Sequence, residues 1–172
     1  VSKIIRPDGT TVEQDFDVRN ALIRRKTPVG GATGPRIEEF DRDENQNIIQ
    51  HHIQYANGHT TDFTYDENNR LTSIALPGGP VRSLAYNSNG DLTQDSMGGL
   101  TTAYGYDAAG RMNPISIGSG SVFTYGYSAG GALTNVLRNG TERCVLTYDS
   151  AQRLLTLTDK NFPSFGGNQT IT

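Results

Sequence analysis

Along most of this chain, short runs that alternate aromatic or aliphatic with small or polar residues are interrupted at near-regular intervals by clusters of Asp, Asn and Gly. Phe63-Thr64-Tyr65-Asp66-Glu67-Asn68-Asn69-Arg70-Leu71 serves as the template. Side chains of a strand alternate between faces, so Phe63 and Tyr65 share one face and Thr64, a small residue, allows close approach on the other. Asp66 follows the aromatic because a short acceptor can bond turn amides two residues on, and Asn69 tolerates a positive φ. Leu71 then starts a return strand that Ile74 continues. The unit is a β-hairpin. No segment of useful length has a 3.6-residue apolar period, so helices are not expected.

The unit recurs as Leu84-Ala85-Tyr86-Asn87 with Gly90 and Leu92, and as Tyr104-Gly105-Tyr106-Asp107 with Gly110, Arg111, Met112 and Ile115. It follows again as Tyr125-Gly126-Tyr127-Ser128 with Gly131, Leu133 and Val136, and as Leu146-Thr147-Tyr148-Asp149 with Arg153, Leu154 and Leu157. Upstream the pattern decays but keeps register, with Phe40-Asp41-Arg42-Asp43 leading to Ile48 and Phe16-Asp17 leading to Asn20 and Leu22. The central positions are 16, 42, 65, 86, 106, 127 and 148, spaced 26, 23, 21, 20, 21 and 21 residues apart. Near-constant spacing of several matching columns marks an internal repeat of about seven hairpins. Linking turns fall at Pro7-Asp8-Gly9, Asn57-Gly58, Pro77-Gly78-Gly79-Pro80, Met97-Gly98-Gly99, Gly118-Ser119-Gly120 and Asn139-Gly140. The last favours a type I′ hairpin. The fold class that follows is all-β, a tandem array of antiparallel hairpins over residues 1–172 with about fourteen short strands, and a tail over 160–172.

Composition narrows the picture. With 20 Gly, 7 Pro, no Trp and a mean hydropathy of −0.51, the 172 residues are expected to bury a thin layer and not a thick core. Acidic and basic residues, 18 and 15, are well mixed and give a net charge of −3. No basic run could neutralise a phosphate backbone, which excludes nucleic acid as a partner. No apolar stretch is long enough to span a bilayer, and no secretory signal is present. The chain opens inside what reads as a strand and is taken as a fragment, so the absent signal does not locate the parent protein. Cys144 is the only cysteine; it reads as a small hydrophobe within a strand, with no intrachain disulfide.

A repeat of this length carrying Tyr106-Asp107-Ala108-Ala109-Gly110-Arg111-Met112 resembles the YD or RHS repeat, over residues of about 4 to 160. Members of that family include bacterial RHS polymorphic toxins, shell components of Tc insecticidal toxins, wall-associated bacterial proteins and animal teneurins. The resemblance implies hairpins wound into an open, spiralling sheet that forms part of a hollow shell, enclosing in the toxins a C-terminal toxic domain until delivery. It implies a cargo polypeptide and neighbouring repeats as partners, and a secreted or cell-surface parent. No copy of the Asp-Pro-x-Gly-Leu segment that ends the family's shell is found, and no globular toxin follows the repeats. Autoproteolysis and toxicity are therefore expected to lie outside this fragment.

Candidate chemistry is sparse, and no catalytic, cofactor or metal residue is assigned. His51 and His52 are adjacent in a strand and so point to opposite faces; with His59 they read as surface histidines around Tyr55 and not as a metal site. Glu38, Glu39, Asp41, Asp43 and Glu44 lack the alternating ligands of a calcium loop and read as a solvated turn. The recurrent Asp is explained by turns, and the recurrent Arg70, Arg111 and Arg153 by carboxylate partners on neighbouring hairpins. Gly30-Gly31-Ala32-Thr33-Gly34 lacks the Lys-Ser/Thr of a phosphate loop. Asn139-Gly140-Thr141 and Asn168-Gln169-Thr170 fit the glycosylation acceptor pattern.

Three functions compete on these residues. A shell scaffold explains the Tyr column as sheet core. A cell-surface adhesin would use the same column to stack on glycans, but no Trp is available for a sugar platform. An enzyme has no constellation to support it. The scaffold is the expectation, with both terminal strands left with open edges for neighbouring repeats, a partner strand or self-association.

Overall fold

The computed structural model describes residues 1–28, 34–54 and 58–160, and the backbone of 169–171. Gly30 to Thr33 of the glycine-rich turn, Tyr55, Asn57 and Asn168 lie outside the described residues. The chain falls into two compact units, Val1–Leu84 and Ala85–Thr172. Among the described residues there is no helix.

The first unit is built from β1 (Ser2–Ile5), β2 (Thr11–Phe16), β3 (Leu22–Thr27), β4 (Arg36–Arg42), β5 (Ile48–Gln54), β6 (His59–Tyr65) and β7 (Leu71–Ala75). The next strand, β8 (Arg82–Tyr86), pairs with β7 through Ser83 and Arg82 and contains the boundary. The second unit continues with β9 (Leu92–Met97), β10 (Leu100–Tyr106), β11 (Met112–Ile117), β12 (Ser121–Tyr127), β13 (Leu133–Arg138), β14 (Thr141–Tyr148), β15 (Leu154–Asp159) and β16 (Gln169–Ile171). Within each unit every strand pairs antiparallel with the next in the chain, as an array of hairpins requires. Among the described residues there are sixteen strands where about fourteen were expected. Gln169–Ile171, in the segment read as a tail, pairs with β15.

Six of the hairpins carry the same irregularity. Thr64 pairs with Ser73 but Tyr65 pairs with Leu71, so Thr72 is an extra residue on the return strand. The same step occurs at Ile23, Ile49, Thr134 and Leu155, and between Tyr104 and Tyr106 opposite Asn113 and Pro114. A bulge of this kind sets two residues against one and changes which face the later side chains occupy. It therefore places Leu71 and Ile74, three residues apart, on one face opposite Tyr65 and Phe63. In the second unit the same device brings Tyr106, Tyr127 and Tyr148 to one face, paired with Met112, Leu133 and Leu154.

The layer is thin, as the composition predicts. Among the described residues only Val12 and Glu38 are buried, at 5% and 4% exposure. The tyrosines of the column are half-buried.

Candidate functional site

The site that the sequence builds is a seam between successive hairpins, and it starts at the turn. In all seven repeats the residue after the central position (Asp17, Asp43, Asp66, Asn87, Asp107, Ser128, Asp149) donates its N–H to the carbonyl four residues on, at 2.8–3.0 Å. Its own carbonyl accepts from the amide three residues on, at 2.9–3.1 Å. That amide belongs to Asn20, Gln46, Asn69, Gly90, Gly110, Gly131 or Gln152, each at a φ between 60° and 94°. The result is a type I turn closed by a left-handed residue, the three-residue hairpin loop that generates a bulge. Asp107 Oδ1 also accepts the amides of Ala109 and Arg111 at 2.9 and 3.0 Å, and Asp17, Asp66, Asn87 and Asp149 do the same in their own turns. The Asp column therefore works as a turn acceptor, as the sequence predicts.

The arginines depart from expectation. Arg70, Arg111 and Arg153 each place Nε 2.7 Å from the second oxygen of their own turn aspartate, not on a neighbouring hairpin. A four-residue separation across a tight loop brings the two side chains together within the repeat. Arg111 also reaches forward, with its guanidinium 4.5 Å from the centre of the Tyr127 ring on the next hairpin. These partners hold the carboxylates below their usual range: the Arg111 side chain is the main cause at Asp107, and the Arg70 and Arg153 amides at Asp66 and Asp149.

The tyrosine hydroxyls join one hairpin to the one before. Tyr65 donates to the carbonyl of Ile48 at 3.0 Å, Tyr106 to Leu92 at 2.8 Å, Tyr127 to Met112 at 2.9 Å and Tyr148 to Leu133 at 2.8 Å. Each acceptor is the first residue of the preceding hairpin's return strand. Arg42, which replaces Tyr in the decayed second repeat, keeps the link by donating Nη2 to the equivalent carbonyl of Leu22 at 3.4 Å and Nη1 to Gln46 O at 2.8 Å. Burial is the main reason the Tyr65 and Tyr106 phenols are pushed up, with the charges of Asp43 and Asp91 adding to it. On the opposite face Gly105 and Gly126 lie where a Cβ would collide with Pro114 and Asn135. At the same column Thr64 bonds Thr72 at 2.9 Å and Thr147 bonds Thr156 at 2.6 Å.

The acidic stretch is not a solvated turn. Glu38, Glu39 and Asp41 lie on β4, and only Asp43 and Glu44 enter a turn. Glu38 is buried between Arg25, with Nε at 2.7 Å and Nη2 at 2.6 Å, and Arg36 Nη2 at 3.1 Å, with His51 Nε2 3.4 Å away. Desolvation raises its pKa, but the hydrogen bond and charge of Arg25, then the charges of Arg36 and His51, leave it below the usual value. Glu39 and Asp41, with Asp15 and Asp17, line a hollow of about 680 Å³ on the other face, shared with Arg24, which bridges Asp15 and Glu39.

His51 and His52 do point apart, but both are half-buried and not surface residues: His51 stacks on Phe40 at 4.7 Å and 9°, and His52 Nδ1 lies 2.7 Å from Thr60 Oγ1. His59 is exposed. No group of three or more His, Cys, Asp or Glu able to hold a metal occurs among the described residues. Cys144 packs opposite Val136 and Asp159, and burial, then the Asp159 charge, pushes its thiol up. Asn139, at a φ of 50° beside Gly140 at 76°, forms the tight turn, while its side-chain amide accepts from Val122 N–H at 2.7 Å and donates to Gly120 O at 3.0 Å in the neighbouring turn.

Acid should loosen this arrangement. Glu38, Asp66, Asp107 and Asp149 all have folded pKa values below their ordinary ones. Each contributes stability that is present above the unfolded pKa and lost as pH falls through the folded value. The urea midpoint is expected to hold steady down to about pH 5 and to drop clearly by about pH 3. A midpoint unchanged across that range would show that the turn carboxylates do not contribute.

The sequence model of the teneurin YD-shell family matches residues 3–159. No curated protein matches the chain. Solved structures do: the TcdB2-TccC3-TEV crystal structure aligns with a TM-score of 0.70 at 15% identity, covering 87% of this chain and 9% of that one. TcdB2-TccC3-Cdc42 aligns at 0.68 and 15%, covering 94% and 10%, and TcdB2-TccC3 at 0.67 and 15%, covering 87% and 9%. The chain spans about a tenth of the length of these structures, and at this identity they speak for the fold. With the same turn closing all seven repeats and the family model matching residues 3–159, the chain belongs to the teneurin YD-shell family.

Proposed function

We propose that this chain is a wall segment of a YD shell that encloses a cargo polypeptide, such as a C-terminal toxin, in a secreted or cell-surface parent protein. The observation that carries the reading is the seam. The hydroxyls of Tyr65, Tyr106, Tyr127 and Tyr148 are each committed to a carbonyl of the preceding hairpin, so these repeats complete their hydrogen bonding only against a neighbour. A continuous wall needs that property, and repeat arrays in general draw their stability from such neighbour terms. The same bonds leave the hydroxyls of Tyr65, Tyr106, Tyr127 and Tyr148 tied within the sheet, which speaks against a glycan-binding row. The recurrent carboxylates are tied in turns, and the family is that of a structural shell, which supports a non-enzymatic role. No helix among the described residues is long and apolar enough to cross a membrane.

Limited proteolysis of the full-length parent tests the reading. The polypeptide enclosed by the shell is expected to resist a protease that digests the same polypeptide expressed alone. The Tyr106→Ala/Tyr127→Ala double variant is expected to make it accessible. Equal digestion in the intact parent and in isolation would rule out encapsulation, and selective micromolar binding on a glycan array would favour an adhesin.

A further inference from the structure

The tyrosine-bearing face of the first unit changes character at its first strands. Where later repeats carry apolar pairs such as Phe63 with Ile74 or Tyr125 with Val136, β2 and β3 pair Gln14 with Arg25, and β3 and β4 pair Arg25 with Glu38. These residues, with Arg6, Thr27 and Arg36, line a hollow of about 400 Å³. Arg25 and Arg36 face the Glu38 carboxylate there, with His51 beside it, and Arg6 lines the same hollow.

Glu38 holds two of them side by side. Arg25 uses Nε and Nη2 on Oε2, and Arg36 uses Nη2 on Oε1. Among the described residues Arg36 Nε is buried without a hydrogen-bond partner, and an unmet buried donor on a charged group is costly to leave. Arg6 is exposed and lines the same hollow. The arrangement is a fork of donors with an excess of positive charge, held by a buried acidic residue that fixes its geometry.

We infer that this hollow is a binding site for a doubly charged oxyanion of phosphate or sulfate geometry, bound by Arg6, Arg25 and Arg36 with Glu38 as the positioning residue. Bidentate guanidinium contacts match oxyanion geometry, and hydrogen bonds assisted by charge are roughly twice as strong as neutral ones. The Thr27 hydroxyl and the Gln14 amide supply uncharged donors on the same lining. Glu38 sets the fork, so a neutral amide in its place should misalign Arg25 and Arg36 without removing either charge.

Titration of the 172-residue chain with inorganic phosphate, followed by calorimetry and by arginine side-chain NMR, tests the assignment. Saturable binding is expected, weakened by about tenfold or more in Arg36→Gln and in Arg6→Gln, the loss of one charge-assisted contact. Glu38→Gln should weaken it as well and shift the Arg25 and Arg36 resonances. Arg138→Gln, on β13 in the second unit, should leave it unchanged. Arg6→Gln alters an exposed residue, so it keeps the test decisive if Arg36→Gln does not fold. Sulfate should compete and chloride should not. Absence of saturable binding would overturn the inference, as would binding that Arg6→Gln leaves intact.

Discussion

Gly105→Ala is expected to destabilise the second unit by about 2–3 kcal/mol, the upper part of the range for forcing atoms into a filled space. A Cβ at this position would lie 2.7 Å from Pro114 Cδ, 2.9 Å from the Asn113 carbonyl oxygen and 3.1 Å from Pro114 N. Two of these are backbone atoms and the third belongs to a ring, so none can rotate away. They sit at the bulge that places Tyr106 against Met112, and relieving the clash means moving that pairing. Gly126 occupies the same column, but there the Cβ would meet the side chains of Asn135 and Thr134, which can turn aside. Gly126→Ala should therefore be milder by about 1 kcal/mol. Urea unfolding of the two variants decides: equal losses would mean that the bulge backbone is free to shift and does not define the repeat.

The glycine column, the turn acceptors and the repeat spacing were legible in the sequence because each rests on local chemistry. Asp107 bonds amides within four residues, and Gly110 supplies its own φ. What escaped depends on residues far apart in sequence. The bulge did leave a trace: Leu71 and Ile74 are three apart, which strict alternation would put on opposite faces. Gln46 and Gln152 at positive φ were not foreseen, since glutamine has no local reason to adopt it; the closed turn imposes it. The acceptors of the tyrosine hydroxyls lie in the previous repeat, 14 to 17 residues back, and no feature of the Tyr-Asp motif points to them. Glu38 looked like part of an exposed acidic turn because neither Arg25 nor His51 is near it in the chain, and only the pairing of β3, β4 and β5 assembles them. Arg42 is the clearest case. It breaks the tyrosine column by identity yet preserves it by function, because a guanidinium can reach the same carbonyl that a phenol would.

Tyr106→Ala should lower the stability of the second unit by about 3 kcal/mol, through the lost ring packing and the lost seam bond together. The estimate sits at the lower end for a large aromatic because the ring is half-buried in a single layer. Its parts can be separated. Tyr106→Phe keeps the ring against Met112 but removes the donor to Leu92 O, and should lose about 1 kcal/mol. The remainder belongs to the ring. The two contributions act at different places. The ring packs within its own hairpin, across β10 and β11, whereas the hydroxyl ties that hairpin back to β9. Native-state hydrogen exchange on Tyr106→Phe should therefore speed up along the β9–β10 ladder, at residues such as Thr102 and Ala103, before it does so between β12 and β13. A loss below about 0.5 kcal/mol for Tyr106→Ala would mean the column is effectively solvent-exposed and free to face a ligand. Uniform acceleration of exchange in Tyr106→Phe would mean the hydroxyl supports the whole unit and not one junction.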